Sequence, residues 1–147
     1  MNFIDKPEKY VYLEHPTDLK IQSFGDTLED ALVNYIEAMF ATVKKENTDP
    51  QTNKQETITT RAQTLTGAIF DFLEQCLYIL DTKNMVTNCT NIAIKKTHTH
   101  FTITAQANLI LADAYIESQP FKSVTYHQMS IEALDSGKIA FTCVIDV

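Results

Sequence analysis

The stretch His15–Leu32, HPTDLKIQSFGDTLEDAL, predicts a strand followed directly by a helix, and this succession decides the fold class. Leu19–Phe24 is a β-prone run that begins with apolar Leu19 and Ile21 on one face and polar Lys20 and Gln22 on the other, which is typical of a strand with one buried face. Asp18 comes just before this run and shares its polar face with Lys20. From Leu28 onward the apolar residues recur at helical spacing, which predicts an amphipathic helix.

The start of that helix is marked by the sequence DTLE at Asp26–Glu29. The Asp26 carboxylate can accept a hydrogen bond from a free backbone N–H of the first turn, and Glu29 can reach back toward the cap. We therefore predict that Asp26 is the N-cap and has a structural role only. Asp18 has no such explanation.

The rest of the chain contains one more helical pattern and several strand patterns. They are a polar loop at 44–63 with one edge strand at Glu56–Thr60, a helix at Thr64–Leu80, and strands at Tyr10–Leu13, Asn91–Lys96, Phe101–Leu109, Phe121–Ile131 and Lys138–Val147. Because strands and helices are segregated, we expect an α+β fold, a mostly antiparallel β-sheet with the two amphipathic helices packed on one face. We expect residues 1–147 to form a single domain.

Charge and cysteine content restrict the classes of partner. With 12 basic and 19 acidic residues the formal net charge is −7, which disfavours autonomous nucleic-acid binding and suits a basic partner protein or a bound cation. The three cysteines form no C-x-x-C pair, so neither a disulfide framework nor a structural zinc site is expected. Cys76 and Cys143 lie in apolar patterns and are predicted to be buried thiols.

The sequence contains no secretory signal and no apolar run long enough to span a membrane. We therefore expect an intracellular protein with no membrane partner. The sequence contains no recognisable nuclear localisation signal or other targeting motif, so we expect the protein in the cytoplasm, the nucleus or both.

Four blocks of the sequence, in order, resemble the archease family. HPTDLKIQSFGDTLEDAL is similar to its H-T-A-D, apolar strand and G-D-T-L-E-E-A, and LTGAIFDFLEQCLYILDTKNMV is similar to its helix ending in L-Y-L-x-D. FKSVTYHQMSI resembles V-K-A-x-T-Y-H, and FTCVIDV resembles the family's final block. Two departures stand out: Pro-Thr follows His15 in place of Thr-Ala, and ANLILADAYIESQP at 107–120 replaces the family's G-E dipeptide and the basic residue and His between the strands.

The resemblance implies a function in RNA processing. Archeases are accessory factors of the RtcB-type RNA-splicing ligase, which joins tRNA exon halves and other cleaved RNAs. The chain is therefore expected to help the ligase become guanylylated at its active-site histidine and turn over repeatedly in tRNA splicing. It would be a protein cofactor and not an enzyme, and it would meet tRNA or other RNA only through the ligase.

The resemblance also implies a divalent-cation site. In relatives a cation lies between the Asp of the H-x-x-D motif, the penultimate Asp and the terminal carboxylate, and these positions match Asp18, Asp146 and Val147. From the residues alone, both acids can equally be solvated surface groups. If their strands are neighbours, like charges oppose each other, and Ca²⁺, Mg²⁺ or Mn²⁺ suits such an all-oxygen set.

Two other functions stay open from the sequence. One is a metal-dependent hydrolase or nuclease, and the other is a metal-stabilised binding module with no catalytic effect. His15, Lys122 and His127 are candidates for contacting the partner or a nucleotide, although a hydrogen-bonded His and a surface salt bridge are the simpler interpretations. His98 and His100 form an H-x-H pattern on a predicted strand, which we interpret as a solvated pair.

Overall fold

The computed structural model describes residues 8–14, 18–41, 54–111 and 123–147, with all of their side chains except those of 126–128. Over these ranges the chain forms two helices and seven strands. Their bounds are Tyr10–Leu13 (β1), Asp18–Gly25 (β2), Leu28–Ala41 (α1), Lys54–Ala62 (β3), Leu65–Lys83 (α2), Met85–Lys96 (β4), Phe101–Leu111 (β5), Ser123–Ala133 (β6) and Ile139–Asp146 (β7).

The strands form two antiparallel sheets. The four-stranded sheet has the order β1-β2-β7-β6, and the three-stranded sheet has the order β3-β5-β4. Every hydrogen-bonded pair in both sheets is antiparallel. The predicted α+β class with mostly antiparallel strands and two helices is therefore confirmed. The division of the strands between two sheets was not predicted, because strand pairing is a long-range property that alternation does not reveal.

Both helices contact both sheets. Helix α1 lies against β2 and β7 of one sheet and β4 of the other, and α2 lies against β3, β4 and β5 of one sheet and β6 of the other. The fully buried ring of Tyr35 packs edge-on against Phe141, with 5.0 Å between the ring centroids. Burying a phenylalanine side chain such as that of Phe141 contributes about 1.5–3 kcal/mol to the free energy of unfolding. One hydrophobic core thus joins the helices to the two sheets.

The junction between β2 and α1 requires close approach of the backbone. A Cβ added to Gly25 would lie 2.7 Å from the Cβ of Asp30 and would collide with the backbone nitrogen of Ala31. The Ser23 hydroxyl donates a 2.7 Å hydrogen bond to the carbonyl of Ala31, and the Asn34 amide donates one of 2.7 Å to the carbonyl of Phe24. These contacts fix the strand against the first turns of the helix.

The prediction that Asp26 caps α1 is wrong. The hydroxyl of Thr27 accepts the hydrogen bond from the backbone N–H of Asp30, at 3.1 Å, so the cap lies one residue later. The Asp26 carboxylate instead accepts a 2.6 Å hydrogen bond from the Nζ of Lys138 and forms an ion pair with it. Asp26 and Thr27 both have side chains that suit an N-cap, so the local sequence does not distinguish them. The ion pair of Asp26 involves Lys138, which is distant in the sequence and could not be foreseen.

Several element boundaries differ from the predicted ones. Strand β3 covers 54–62, so this part of the predicted polar loop is a strand at a sheet edge, longer than the predicted Glu56–Thr60. Helix α2 continues through the predicted stop to Lys83 and ends at Asn84, whose backbone is left-handed with φ 55°. Strand β4 begins at Met85, six residues before the predicted start, because a register shift between Cys89 and Asn91 interrupts the alternation.

Other expectations concern the histidines and cysteines. His98 and His100 lie in the turn between β4 and β5 and not on a strand. Cys76, Cys89 and Cys143 are all free and buried, as expected for the first and the last of them. Neither helix in the described ranges is long and apolar enough to cross a membrane.

Candidate cation site at the end of β2 and β7

The pairing of β2 with β7 brings two carboxylates together. Its register runs without interruption from Gly25 opposite Ile139 to Asp18 opposite Asp146. Directly opposed residues have their side chains on the same side of the sheet, with Cβ atoms about 4.5–5.5 Å apart. The two acids that the sequence singled out are therefore cross-strand neighbours.

The acid pair lies on the face of the sheet that points away from the helices. Residues of β2 alternate, with Ile21 fully buried in the core and Gln22 on the opposite side. On that opposite side the amide of Gln22 donates a 3.1 Å hydrogen bond to the hydroxyl of Thr142, its partner on β7. Asp18 and Asp146 continue this outward row at the end of both strands, where each is partly exposed.

A third oxygen donor, which sequence reasoning missed, extends the row. Ser123, the first residue of β6, is the partner of Asp146 on its other side. Near the β6–β7 turn, Ala133 lies opposite Ile139. If that register continued unbroken along both strands, Tyr126 would be the residue opposite Asp146. The register shift between Thr125 and Ser130 moves the partner by three residues, and no signal in the sequence announces it.

The electrostatics of this row favour a positive ligand. Like charges that lie directly opposite each other on neighbouring strands destabilise a sheet, here by roughly 0.5–1 kcal/mol. Lys20 lies two residues from Asp18 on the same face and supplies one positive charge beside the two negative ones. Val147 follows Asp146 directly, and 45% of its surface is exposed. Asp18 and Asp146 are each partly exposed, so both residues are accessible to solvent.

The donor chemistry fits a hard divalent cation. Carboxylate, hydroxyl and main-chain oxygens are the ligands that Ca²⁺, Mg²⁺ and Mn²⁺ accept. Within the described part of the chain, no group of three or more His, Cys, Asp and Glu side chains is suited to hold a metal ion. A cation at the row would therefore have two carboxylates, neutral oxygens, and open positions for water or a partner's groups.

The remaining predicted contact residues are not placed by the structure. His15 and Lys122 lie outside the described residues. His127 belongs to β6 by its backbone, and its side chain is outside the described part.

On the opposite side of the sheet, between β7 and α1, lie two buried groups that can titrate, the thiol of Cys143 and the hydroxyl of Tyr35. Burial raises the pKa of the Cys143 thiol to about 11. Burial also raises the pKa of Tyr35 well above its ordinary value, and its hydroxyl donates a 3.1 Å hydrogen bond to the carbonyl of Cys143. Both groups are protonated at neutral pH, so they serve packing and not nucleophilic chemistry.

A cavity of about 380 Å³ lies at the other end of β2. It is bordered by Gly25, the Asp26–Lys138 ion pair, Asn34 and the bulge residue Thr90, among others. Gly25 is seven residue steps of extended strand from Asp18, a distance of about 24 Å. The cavity and the acid pair are thus separate features.

Comparison with known proteins agrees with this fold. Residues 10–147 match the sequence profile of the Archease protein family (MTH1598/TM1083). The chain belongs to the archease family. The resemblance found in the sequence blocks is thereby confirmed.

Individual archeases are similar over most of their length. Protein archease of Pyrococcus abyssi is 26% identical over 142 residues, which cover 95% of this chain and 99% of the relative. Protein archease of Methanosarcina acetivorans is 31% identical over 140 residues, covering 88% and 90% of the two chains. The solution structure of Methanobacterium thermoautotrophicum protein 1598 superimposes with a TM-score of 0.72 at 20% identity, over 95% of this chain and 99% of that one. This last similarity is one of fold.

Proposed function

We propose that this family member activates an RtcB-type RNA-splicing ligase through a divalent cation held between Asp18 and Asp146. In this proposal it promotes guanylylation and multiple turnover of the ligase in tRNA splicing, without catalysing a reaction itself. The observation that carries the proposal is the register, which sets the two carboxylates opposite each other at the accessible end of β2 and β7.

Each residue at this end of the sheet would have a separate role in the cation site. Asp18 and Asp146 hold the cation, and the main-chain oxygens of Val147 and the hydroxyl of Ser123 complete its protein ligands. Such a cation supplies positive charge that attracts carboxylate or phosphate oxygens of a partner. Lys20, on the same face, limits how much negative charge remains around the bound ion.

Activation requires that the chain bind one state of the ligase better than another. A binding partner shifts an equilibrium only by its difference in affinity for the two states. A preference of about 1.4 kcal/mol for the state competent in nucleotidyl transfer would raise its population relative to the other about tenfold. Positioned charge next to developing phosphate charge is a sufficient source of such a preference.

The proposal also covers the residues that contact the ligase and the place in the cell where the complex forms. We assign His15, Lys122 and His127, which fall in or next to the family blocks, to contacts with the ligase or its nucleotide. The choice of RNA substrate would belong to the ligase. The complex would form inside the cell, in the cytoplasm, the nucleus or both.

The test is guanylylation of a purified RtcB-type ligase by GTP, with the chain added in substoichiometric amounts. The wild type should accelerate guanylylation and allow repeated RNA joining, whereas Asp18→Asn and Asp146→Asn should lose most of the stimulation. Asp135→Asn, which neutralises an exposed acid in the turn between β6 and β7 and outside the family blocks, is the matched control and should stimulate normally.

Two outcomes would contradict the proposal and identify its rivals. Normal stimulation by both site variants would remove the cation from the mechanism. Binding to the ligase without any change in rate would indicate a scaffold. Turnover of nucleotide or RNA by the chain alone, dependent on added cation, would indicate a hydrolase.

A further inference from the structure

The three-stranded sheet has an outward face that none of the proposed chemistry uses. Its core side carries buried residues such as Ile58, Ile92 and Ile103. The residues between them point the other way and form rows across the three strands. We define the outer face by four such rows: Arg61–Thr102–Lys95, Thr59–Thr104–Ala93, Thr57–Gln106–Asn91 and Gln55–Asn108–Asn88.

The charge of this outer face is opposite to that of the whole chain. The chain has a net charge of −7, yet the twelve residues of the outer face include two basic residues and no acid. Arg61 and Lys95 are both exposed. Within the described ranges neither forms an ion pair, whereas Lys9, Lys54, Lys83 and Lys138 each lie within 4 Å of a carboxylate.

The two cations are arranged around a hydroxyl. Arg61 and Lys95 are the partners of Thr102 on its two sides. Since neighbouring strands are about 4.8 Å apart, the two backbone positions are about 10 Å apart with Thr102 midway. A guanidinium, a hydroxyl and an ammonium group on one face are donors that phosphate oxygens accept.

The remaining rows continue the same chemistry along the sheet. They carry threonine, glutamine and asparagine, and the hydroxyl of Thr57 donates a 3.1 Å hydrogen bond to the amide oxygen of its partner Gln106. A shallow groove of about 150 Å³ lies between Gln55, Gln106 and Asn108. Hydroxyl and amide side chains are regular partners of the phosphates and sugars of nucleic acids.

We propose that the outer face of the three-stranded sheet binds the phosphodiester backbone of single-stranded RNA. Protein partners favour aromatic and apolar anchors, and the twelve residues of the outer face contain no aromatic side chain. Contacts to the phosphodiester backbone carry no sequence information, so we expect binding that does not depend on base sequence. The net charge argues against nucleic-acid binding by the whole surface, but it does not describe this one face.

The experiment is fluorescence anisotropy of a labelled single-stranded oligouridine, titrated with the isolated chain at several salt concentrations. We expect weak binding, with a Kd on the order of 10⁻⁴ M at low salt. Arg61→Gln with Lys95→Gln should weaken it several-fold. The double variant should also lower the slope of log K against log salt by about 1.4, since each lost contact to a single strand accounts for about 0.7.

Three further variants separate this contact from general charge effects. Lys9→Gln with Lys83→Gln removes the same two charges elsewhere and should bind the oligouridine as the wild type does. Thr59→Lys adds a cation to the outer face and should tighten binding. Asp146→Asn alters the cation site on the other sheet and should not weaken binding, which separates this inference from the proposed function.

The inference would be overturned by either of two results. One is an absence of binding to wild type at low salt. The other is equal weakening in the Arg61/Lys95 and Lys9/Lys83 double variants, because net charge alone would then explain the effect.

Discussion

Two aspartates eight positions apart acquire different roles from the residues that lie opposite them. Asp26 faces Lys138 across the end of the sheet and is neutralised by it, with 2.6 Å between Nζ and the carboxylate. Asp18 faces a second carboxylate, Asp146. Alternation in the sequence was sufficient to predict that Asp18 points outward. Only the pairing of distant strands determines which acid is a candidate ligand.

At the same scale, Glu74 predicts a specific pH dependence. Burial raises the pKa of this carboxyl on α2, a hydrogen bond from the backbone of Val124 opposes the rise, and the charge of Asp71 adds to it. A raised pKa in the folded state favours the protonated form, so its contribution to stability is present at low pH and is lost as the pH rises through the folded pKa. Glu74→Gln should therefore be more stable than wild type at about pH 7.

The measurement is the free energy of unfolding in urea at several pH values. The difference between Glu74→Gln and wild type should shrink as the pH falls below the ordinary carboxyl pKa of 4.5. Asp81→Asn, on the same helix, controls for the loss of one negative charge. A difference that grows toward low pH would contradict this account of Glu74.

At the scale of elements, the sequence predicted the regular parts and missed the irregular ones. Strands β2, β5 and β7 were located to within two residues at either end. Alternation of polar and apolar residues marks β2 and β5, and β7 is an apolar, β-prone run that follows a turn signal. The first half of β4 was missed, since the bulge at Thr90 breaks that alternation. In the same way the bulge in β6 hid Ser123 from the candidate site. A bulge changes which residues face each other while leaving local propensity unchanged.

The start of α1 provides a prediction at this scale. Thr27→Ala removes the hydroxyl that caps the helix and should cost about 1 kcal/mol of unfolding free energy. Asp26→Ala removes an exposed ion pair with Lys138 and should cost less, about 0.5 kcal/mol. Urea unfolding of both variants gives the comparison.

The control is Thr27→Ser, which restores a capping hydroxyl and should regain most of the lost stability. If Asp26→Ala proved the more destabilising change and serine failed to rescue, Asp26 would be the true cap.

At the scale of the whole molecule, the two sheets carry surfaces of opposite charge. The four-stranded sheet ends in the Asp18–Asp146 pair, and the outer face of the three-stranded sheet carries Arg61 and Lys95 without an acid. The net charge of −7 averages over both and reveals neither. Sequence blocks resembling a family pointed to Asp18 and Asp146, but only the pairing of β2 with β7 shows that the two acids oppose each other.

The common core predicts unreactive thiols. All three cysteines are buried, and burial raises the pKa of Cys89 to about 12 and that of Cys143 to about 11. The thiolate is the form that alkylating reagents attack, so iodoacetamide at about pH 8 should leave the native chain unmodified. Mass spectrometry should find three alkylations after unfolding in guanidinium. Rapid modification of any cysteine in the native chain would show that the core opens locally.

The most direct test of the cation site is the unfolding free energy of wild type and Asp146→Asn, each with and without Ca²⁺, Mg²⁺ or Mn²⁺. Without cation the variant should be the more stable by roughly 0.5–1 kcal/mol, because a repulsion between opposed carboxylates is removed. With cation at about a hundred times its Kd, wild type should gain about 2.7 kcal/mol and become the more stable of the two. A wild type that gains nothing from any of the three ions, or a variant that gains as much as wild type, would contradict the account.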